Sequence, residues 1–194
     1  MIAHLNGKLA EAYPTHLIVE CGGVGYKVNI SLNSFSKFEK TGDIKIFTHL
    51  IVREDAQILY GFHSKNEREL FLKLISVNGV GPASAMMMLS SLEPEEIIAA
   101  IESADAKKLQ TIKGIGAKTA QRIIIDLKDK LEGDELNFGS FNTNSKNKSK
   151  FEALSALEVL GIPSRTADKV LEIILKEFPD AEADVLVKET LKRL

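Results

Sequence analysis

Val77-Asn78-Gly79-Val80-Gly81-Pro82-Ala83-Ser84-Ala85 and Ile112-Lys113-Gly114-Ile115-Gly116-Ala117-Lys118-Thr119-Ala120 follow one pattern. The two stretches align without a gap at an offset of 35 residues, Val77 falling on Ile112. Each reads as the end of one helix, a tight turn with glycines flanking an apolar residue, and the start of a second helix. Glycine admits positive φ and lets another surface come close to the main chain. The helix that follows opens with N–H groups that have no acceptor within it. Its dipole places partial positive charge at the same end. Donors, small residues and dipole together suit a phosphate oxygen. Pro82 fits the first helical position, where the missing N–H costs nothing. One such glycine pattern alone marks a tight turn and little else. Two in register, each between apolar helical runs, predict tandem helix-hairpin-helix motifs that hold nucleic-acid backbone without reading sequence. The expected phosphate contacts are Asn78, Gly79, Val80 and Gly81 in the first copy, and Gly114, Ile115, Gly116 and Lys118 in the second. Arg122 lies four residues beyond Lys118, on the same helix face.

Charge separates the two copies. The chain has 194 residues and a formal net charge of −2, so no global basic field draws in nucleic acid. Any affinity must come from a local face. Between Asp105 and Asp126 there is no acidic residue, while Lys107, Lys108, Lys113, Lys118 and Arg122 fall in the same interval. Helix-dipole logic disfavours a cation in a first turn; a bound anion would explain Lys118 there.

Working outward, Ser64-Lys-Asn-Glu67 reads as a capping box ahead of a helix carrying Leu70, Phe71, Leu74 and Ile75. The methionines at 86–88 read as core filling. Pro94 followed by Glu95 and Glu96 starts a linking helix. Upstream, residues 1–63 are β-prone, with runs near Ile2–Leu9, Leu17–Cys21, Tyr26–Ile30, Ile44–Val52 and Gln57–Phe62. Strands this short and this many predict a small closed barrel of the OB-fold kind, with Gly25 suggesting a bulge or bend. Glu54 and Asp55 sit between the last two strands. Two carboxylates on a protruding turn would repel phosphates; no third ligand accompanies them for metal-assisted hydrolysis. Downstream, residues 133–149 are polar and of low complexity, which predicts a flexible linker. Residues 150–194 then show three short helices, with Leu154, Leu157 and Leu160 ending at Gly161, a natural C′ position. A bundle this small has a marginal core and suits docking better than catalysis.

Several classes are disfavoured. Cys21 is the one cysteine, so no disulfide or Cys-based zinc site forms within a chain, and a reducing cytoplasmic setting is expected. The four histidines lack metal-ligand spacing, and no cofactor is expected. There is no signal-peptide pattern. The uncharged stretch 74–92 is broken by Asn78, two glycines, Pro82 and serines, and is too short in its apolar part to cross a bilayer.

The stretches Gly22-Gly-Val-Gly-Tyr26, Val52-Arg-Glu-Asp-Ala-Gln57, Leu59-Tyr-Gly-Phe62, Asn78-Gly-Val-Gly-Pro82, and Gly114-Ile-Gly116 followed by Lys118-Thr119-Ala120 cover both main domains. On them the chain resembles the RuvA family of Holliday junction branch-migration subunits. The tail matches more loosely, through Ala156-Leu157 and Leu160-Gly161. The resemblance implies an α+β multidomain architecture: an OB-fold barrel (1–63), a tandem helix-hairpin-helix domain (64–132), the linker (133–149) and a three-helix, UBA-like bundle (150–194). It implies a homotetramer, with a face-to-face octamer left open, that holds a four-way junction open and nearly planar. It makes Glu54 and Asp55 an acidic pin at the crossover. It implies that the tail binds the AAA+ motor RuvB, through Leu157, Leu160, Gly161 and Ile162, and that the resolvase RuvC cooperates. The family member is itself non-catalytic, the ATPase residing in RuvB. Two positions depart from the family's pattern: Ala83 and Ala117 stand where lysine is common, which leaves the first hairpin to grip through main-chain N–H groups. Ile162 stands where an aromatic is common.

Two other classes compete. A DNA glycosylase also uses helix-hairpin-helix motifs, but needs a pocket for a flipped base and a placed Asp or Lys. The block from 64 to 132 is short for that. A plain interaction scaffold would lack DNA affinity.

Overall fold

The computed structural model describes residues 1–38, 42–133 and 145–194. They fall in two compact units, Met1–Phe138 and Gly139–Leu194. Most of the stretch expected as a linker lies outside the described residues.

The first unit opens with β1 (His4–Tyr13), β2 (His16–Cys21), β3 (Val24–Ile30), β4 (Asp43–Val52) and β5 (Gln57–Phe62). Alternation sends every second residue inward: Leu17 and Val19, Val28 and Ile30, and Ile44 and Ile46 are buried together. The strands close in the order β1-β2-β3-β5-β4. Closure depends on β1 having two partners. His4–Lys8 pair with β4 and Lys8–Tyr13 with β2, and a register shift between Leu9 and Glu11 bends the strand between them. No bulge falls at Gly25: β2 and β3 pair in unbroken register through Glu20 and Gly25. The tight glycines are Gly7 on β1, where a Cβ would overlap the Glu20 carbonyl, and Gly61 on β5, where it would overlap Val28 and Ile46. β3 and β5 run parallel, the other pairs antiparallel. The barrel is OB-like, as expected.

A short helix, α1 (Leu32–Lys37), lies between β3 and β4 and was not expected. Its six residues include three poor helix formers, Asn33, Ser34 and Ser36. Its start is set by Ser31, whose hydroxyl accepts the Ser34 N–H at 2.9 Å.

Five helices follow: α2 (Lys65–Ser76), α3 (Pro82–Ser91), α4 (Pro94–Glu102), α5 (Ala106–Gln110) and α6 (Ala117–Gly133). Ser64 caps α2, accepting the Glu67 N–H at 3.1 Å. The reciprocal half of the capping box does not form, because the Glu67 carboxylate is taken by α1 and His63. Leu70, Phe71 and Leu74 of α2 share one core with Met88, Ile101, Leu109 and Ile123. Of the methionines expected in the core, Met88 is fully buried but Met87 is exposed. The barrel joins this core through Tyr60 and Phe62, whose rings lie 5.3 and 4.9 Å from that of Phe71.

The second unit holds α7 (Ser145–Val159), α8 (Ser164–Glu177) and α9 (Ala183–Arg193), the expected three helices. Their core is Ala153, Leu157, Ala167, Leu171, Ile174 and Leu186. α7 starts at Ser145, inside the stretch assigned to the linker. Once a helix is anchored on Ala153 and Leu157, each added turn is inexpensive. Lys150 further ties α7 to Asp168 of α8 at 2.7 Å, and the Asp168 carboxylate raises the Lys150 pKa.

Candidate nucleic-acid interface

The two hairpins repeat each other down to single hydrogen bonds. Val77 N–H donates to Leu74 O and Ile112 N–H to Leu109 O, both at 3.2 Å. Val80 N–H donates to Val77 O and Ile115 N–H to Ile112 O, both at 3.0 Å. Ala85 bonds Gly81 O at 3.0 Å, and Ala120 bonds Gly116 O at 2.9 Å. Each turn is pinned from below by its apolar residues: Val77, Val80, Ile112 and Ile115 are all buried in the shared core. Val80 and Ile115 therefore offer only their main chain to a ligand.

The glycines divide into two kinds. Gly79 and Gly114 have φ of +93° and +90°, a region that side chains disfavour. Gly81 and Gly116 do not. Gly81, with φ −87°, is the N-cap of α3 and no side chain caps that end. A Cβ at Gly81 or Gly116 would meet nothing of the chain within 4 Å. Free donors at a helix start, beside space the chain leaves open, are what an approaching phosphate backbone requires.

The cations are rearranged relative to expectation. Lys108 is paired with Glu96 of α4 at 3.1 Å, and its ammonium holds the Glu96 carboxyl below the usual carboxylate range. Acidic residues near in sequence did not reveal this partner. Lys113 and Lys118 are exposed and have no ion-pair partner among the described residues. Arg122 is exposed on α6, yet its Nη1 donates to Asn78 O at 3.2 Å. A residue of the second hairpin thus puts a guanidinium at the mouth of the first, where Ala83 leaves none. The structure brings Asn78 and Arg122 together from 44 residues apart, a separation that no local pattern reveals.

Glu54 and Asp55 are exposed at the turn between β4 and β5. The strands pair out to Val52 and Gln57, and Arg53 N–H to Ala56 O at 2.8 Å closes the turn. The two carboxylates stand at the tip of a ladder paired to its end. Among the described residues, no three His, Cys, Asp or Glu side chains gather as a metal site requires.

In the second unit, Leu157, Leu160, Gly161 and Ile162 form one helix stop. Gly161, at φ +86°, donates to Glu158 O at 2.9 Å, and Ile162 N–H donates to Leu157 O at 3.0 Å, a Schellman arrangement. Leu157 is fully buried and Ile162 packs against the same core, so these two support the corner from inside. Leu160 is 59% exposed and Val159 88%. Val159, beside the C′ glycine, was not among the residues expected at this corner.

A groove of about 410 Å³ lies between the barrel and α3, walled by Pro14, Thr15, Ile58, Tyr60, Met86 and Met87. No charged side chain lines it, so it lacks the Asp or Lys that base excision needs.

A closed OB-like barrel with an acidic turn, continuous with two hairpins that expose main chain, defines a helix-hairpin-helix protein of the DNA-binding class. The RuvA N-terminal domain model matches residues 1–61, and the SAM-like helix-hairpin-helix tandem model matches residues 71–129. A protein of Christiangramia forsetii is 52% identical over 198 residues, with all of both chains covered. Relatives from Flavobacterium psychrophilum and Bacteroides thetaiotaomicron are 50% and 43% identical, again over the whole of both chains. All three are named Holliday junction branch migration complex subunit RuvA. The chain belongs to the RuvA family.

Proposed function

We propose that this chain binds four-way DNA junctions by their shape, holds them open, and serves as the non-catalytic subunit of a branch-migration complex in recombination and repair. The observation that carries the reading is the duplicated hairpin: two identical main-chain grips, anchored by buried Val80 and Ile115 and open at Gly81 and Gly116. Asn78, Gly79, Gly114, Lys118 and Arg122 complete the phosphate contacts. One chain carries two grips and one acidic turn, which fits a homotetramer in which each copy serves part of a four-armed junction. Many weak phosphate contacts then act together at high effective concentration. Glu54 and Asp55, repeated around the fourfold axis, oppose crowding of phosphates at the crossover. ATP hydrolysis belongs to RuvB, docked on the exposed corner at Val159, Leu160 and Gly161, with Leu157 and Ile162 beneath. RuvC acts on the same complex, and the setting is the cytoplasm. No helix of the described residues is long and apolar enough to cross a membrane.

The deciding experiment is competition between a synthetic four-way junction and a linear duplex of the same arm sequences at fixed salt. The expected preference for the junction is at least about tenfold, or about 1.4 kcal/mol, and indifferent to arm sequence. Equal affinity would leave a generic backbone binder. Glu54→Gln with Asp55→Gln keeps or tightens DNA binding and lowers the junction preference; weaker binding to both DNAs would remove the pin from the mechanism.

A further inference from the structure

Glu67 is 3% exposed, an unusual place for a carboxylate. Its side-chain hydrogen bonds reach none of the proposed DNA-binding residues. One oxygen accepts from Ser31 Oγ at 2.7 Å. The other accepts from Ser34 Oγ at 2.6 Å and from the His63 N–H at 3.1 Å. His63 N–H also reaches Ser34 Oγ at 3.0 Å. These donors belong to three places: the start of α1, its first turn, and the link between β5 and α2. The remainder of α1 is fastened in the same direction. Leu32 N–H donates to Ser90 Oγ at 3.1 Å, and Asn33 Nδ2 to Leu92 O at 2.9 Å. Lys37 pairs with Glu93 at 2.7 Å, and that hydrogen bond raises the Lys37 pKa. A helix inserted between two barrel strands is thus bonded to α2, α3 and the start of α4.

Covalently, the barrel and the helices are joined through His63 and Ser64. The apolar contact of Tyr60 and Phe62 with Phe71 holds them together without direction, and Arg68 Nη1 of α2 adds one directed bond, to Ala3 O at 3.1 Å. Hydrogen bonds to an ionised acceptor are directional and strong. A buried carboxylate stripped of any donor is costly, so the clamp is complete or broken, and one angle between barrel and helices is selected.

We propose that Glu67 is a positioning residue for junction recognition: with α1 it fixes the acidic turn of Glu54 and Asp55 relative to the two hairpins, without touching DNA. The inference rests on the reading of that turn as a pin. The hairpins alone suffice for a duplex. A junction engages hairpins on its arms and the pin at its crossover, so only the junction reads the angle between them. Preorganisation of two contact sets raises affinity by removing the cost of ordering them on binding.

The test measures dissociation constants of the full chain and its variants for junction and for duplex at one salt concentration, with a thermal melt of each. Glu67→Gln keeps the shape of the side chain and removes the charge. It is expected to stay folded, to bind duplex like the parent, and to lose junction preference by about tenfold. A merely structural role would lower both affinities together and leave their ratio alone; that result, or an unchanged ratio in a folded variant, overturns the proposal. If Glu67→Gln fails to fold, Asn33→Ala with Lys37→Ala loosens the exposed end of the clamp and must lower the same ratio. Glu54→Gln with Asp55→Gln runs in parallel. If the pin variant loses preference and Glu67→Gln does not, this inference fails alone. If the pin variant keeps full preference, the pin reading fails and takes the inference with it.

Discussion

At Gly81 and Gly116 the chain leaves space that it does not fill, whereas at Gly79 and Gly114 it needs a backbone conformation that side chains resist. A sequence shows four glycines in two identical frames and cannot tell these uses apart. The structure separates them, and so does mutation. Gly116→Ala meets nothing within 4 Å and is expected to leave the melting temperature unchanged. The same methyl group obstructs a phosphate and its donors, so duplex affinity falls by about tenfold or more, since a hydrogen bond to a charged group is worth about 1.5–3 kcal/mol. Gly114→Ala, at φ +90°, is expected to cost about 1–2 kcal/mol of stability as well. Paired melts and binding curves distinguish the two. A Gly116→Ala protein that binds like its parent would take the second turn out of the interface.

Among the elements, those with local signatures were legible. The hairpins followed from glycine spacing, the strands from alternation, and α4 from Pro94 with its acidic first turn. Two features were not, and both depend on contacts between distant residues. α1 has a weak helical composition and is held by bonds to Glu67, Ser90, Leu92 and Glu93. The pattern Ser64-x-x-Glu67 has a local explanation, the capping box, and only half of it applies. The cation at the first hairpin likewise comes from α6. Arg122, bonded to Asn78 O, is expected to serve phosphates at both turns. Arg122→Ala should therefore weaken junction and duplex alike. It should also reduce the slope of log affinity against log salt by about 0.9 for the phosphate it neutralises. A salt titration that returns the parent slope would place Arg122 off the DNA.

For the molecule as a whole, a polar stretch between two apolar-patterned parts was legible from composition, and the chain falls into two compact units. Separate cores are built from residues before Gly133 and after Ser145. The start of α7 at Ser145 was not legible, because Ser145–Lys150 carry no apolar pattern. A chain ending at Phe138 keeps the first unit intact and is expected to bind junctions as the full chain does. It is expected to support no RuvB-driven branch migration in an ATP-dependent strand-exchange assay. Migration at the full rate would mean that the tail is not where the motor docks.

The anchoring of Val80 and Ile115 in the core has a mechanical consequence. Their side chains face inward, so on the proposed reading these two residues offer DNA only peptide N–H, the same at every step along a duplex. A grip that sampled base edges would hold some positions better than others, and a moving crossover would catch on them. A grip of main-chain donors and phosphate-directed cations would present a level track: each phosphate released is replaced by an equivalent one. Work done by a motor then goes into advancing the strands rather than into freeing them from preferred stops.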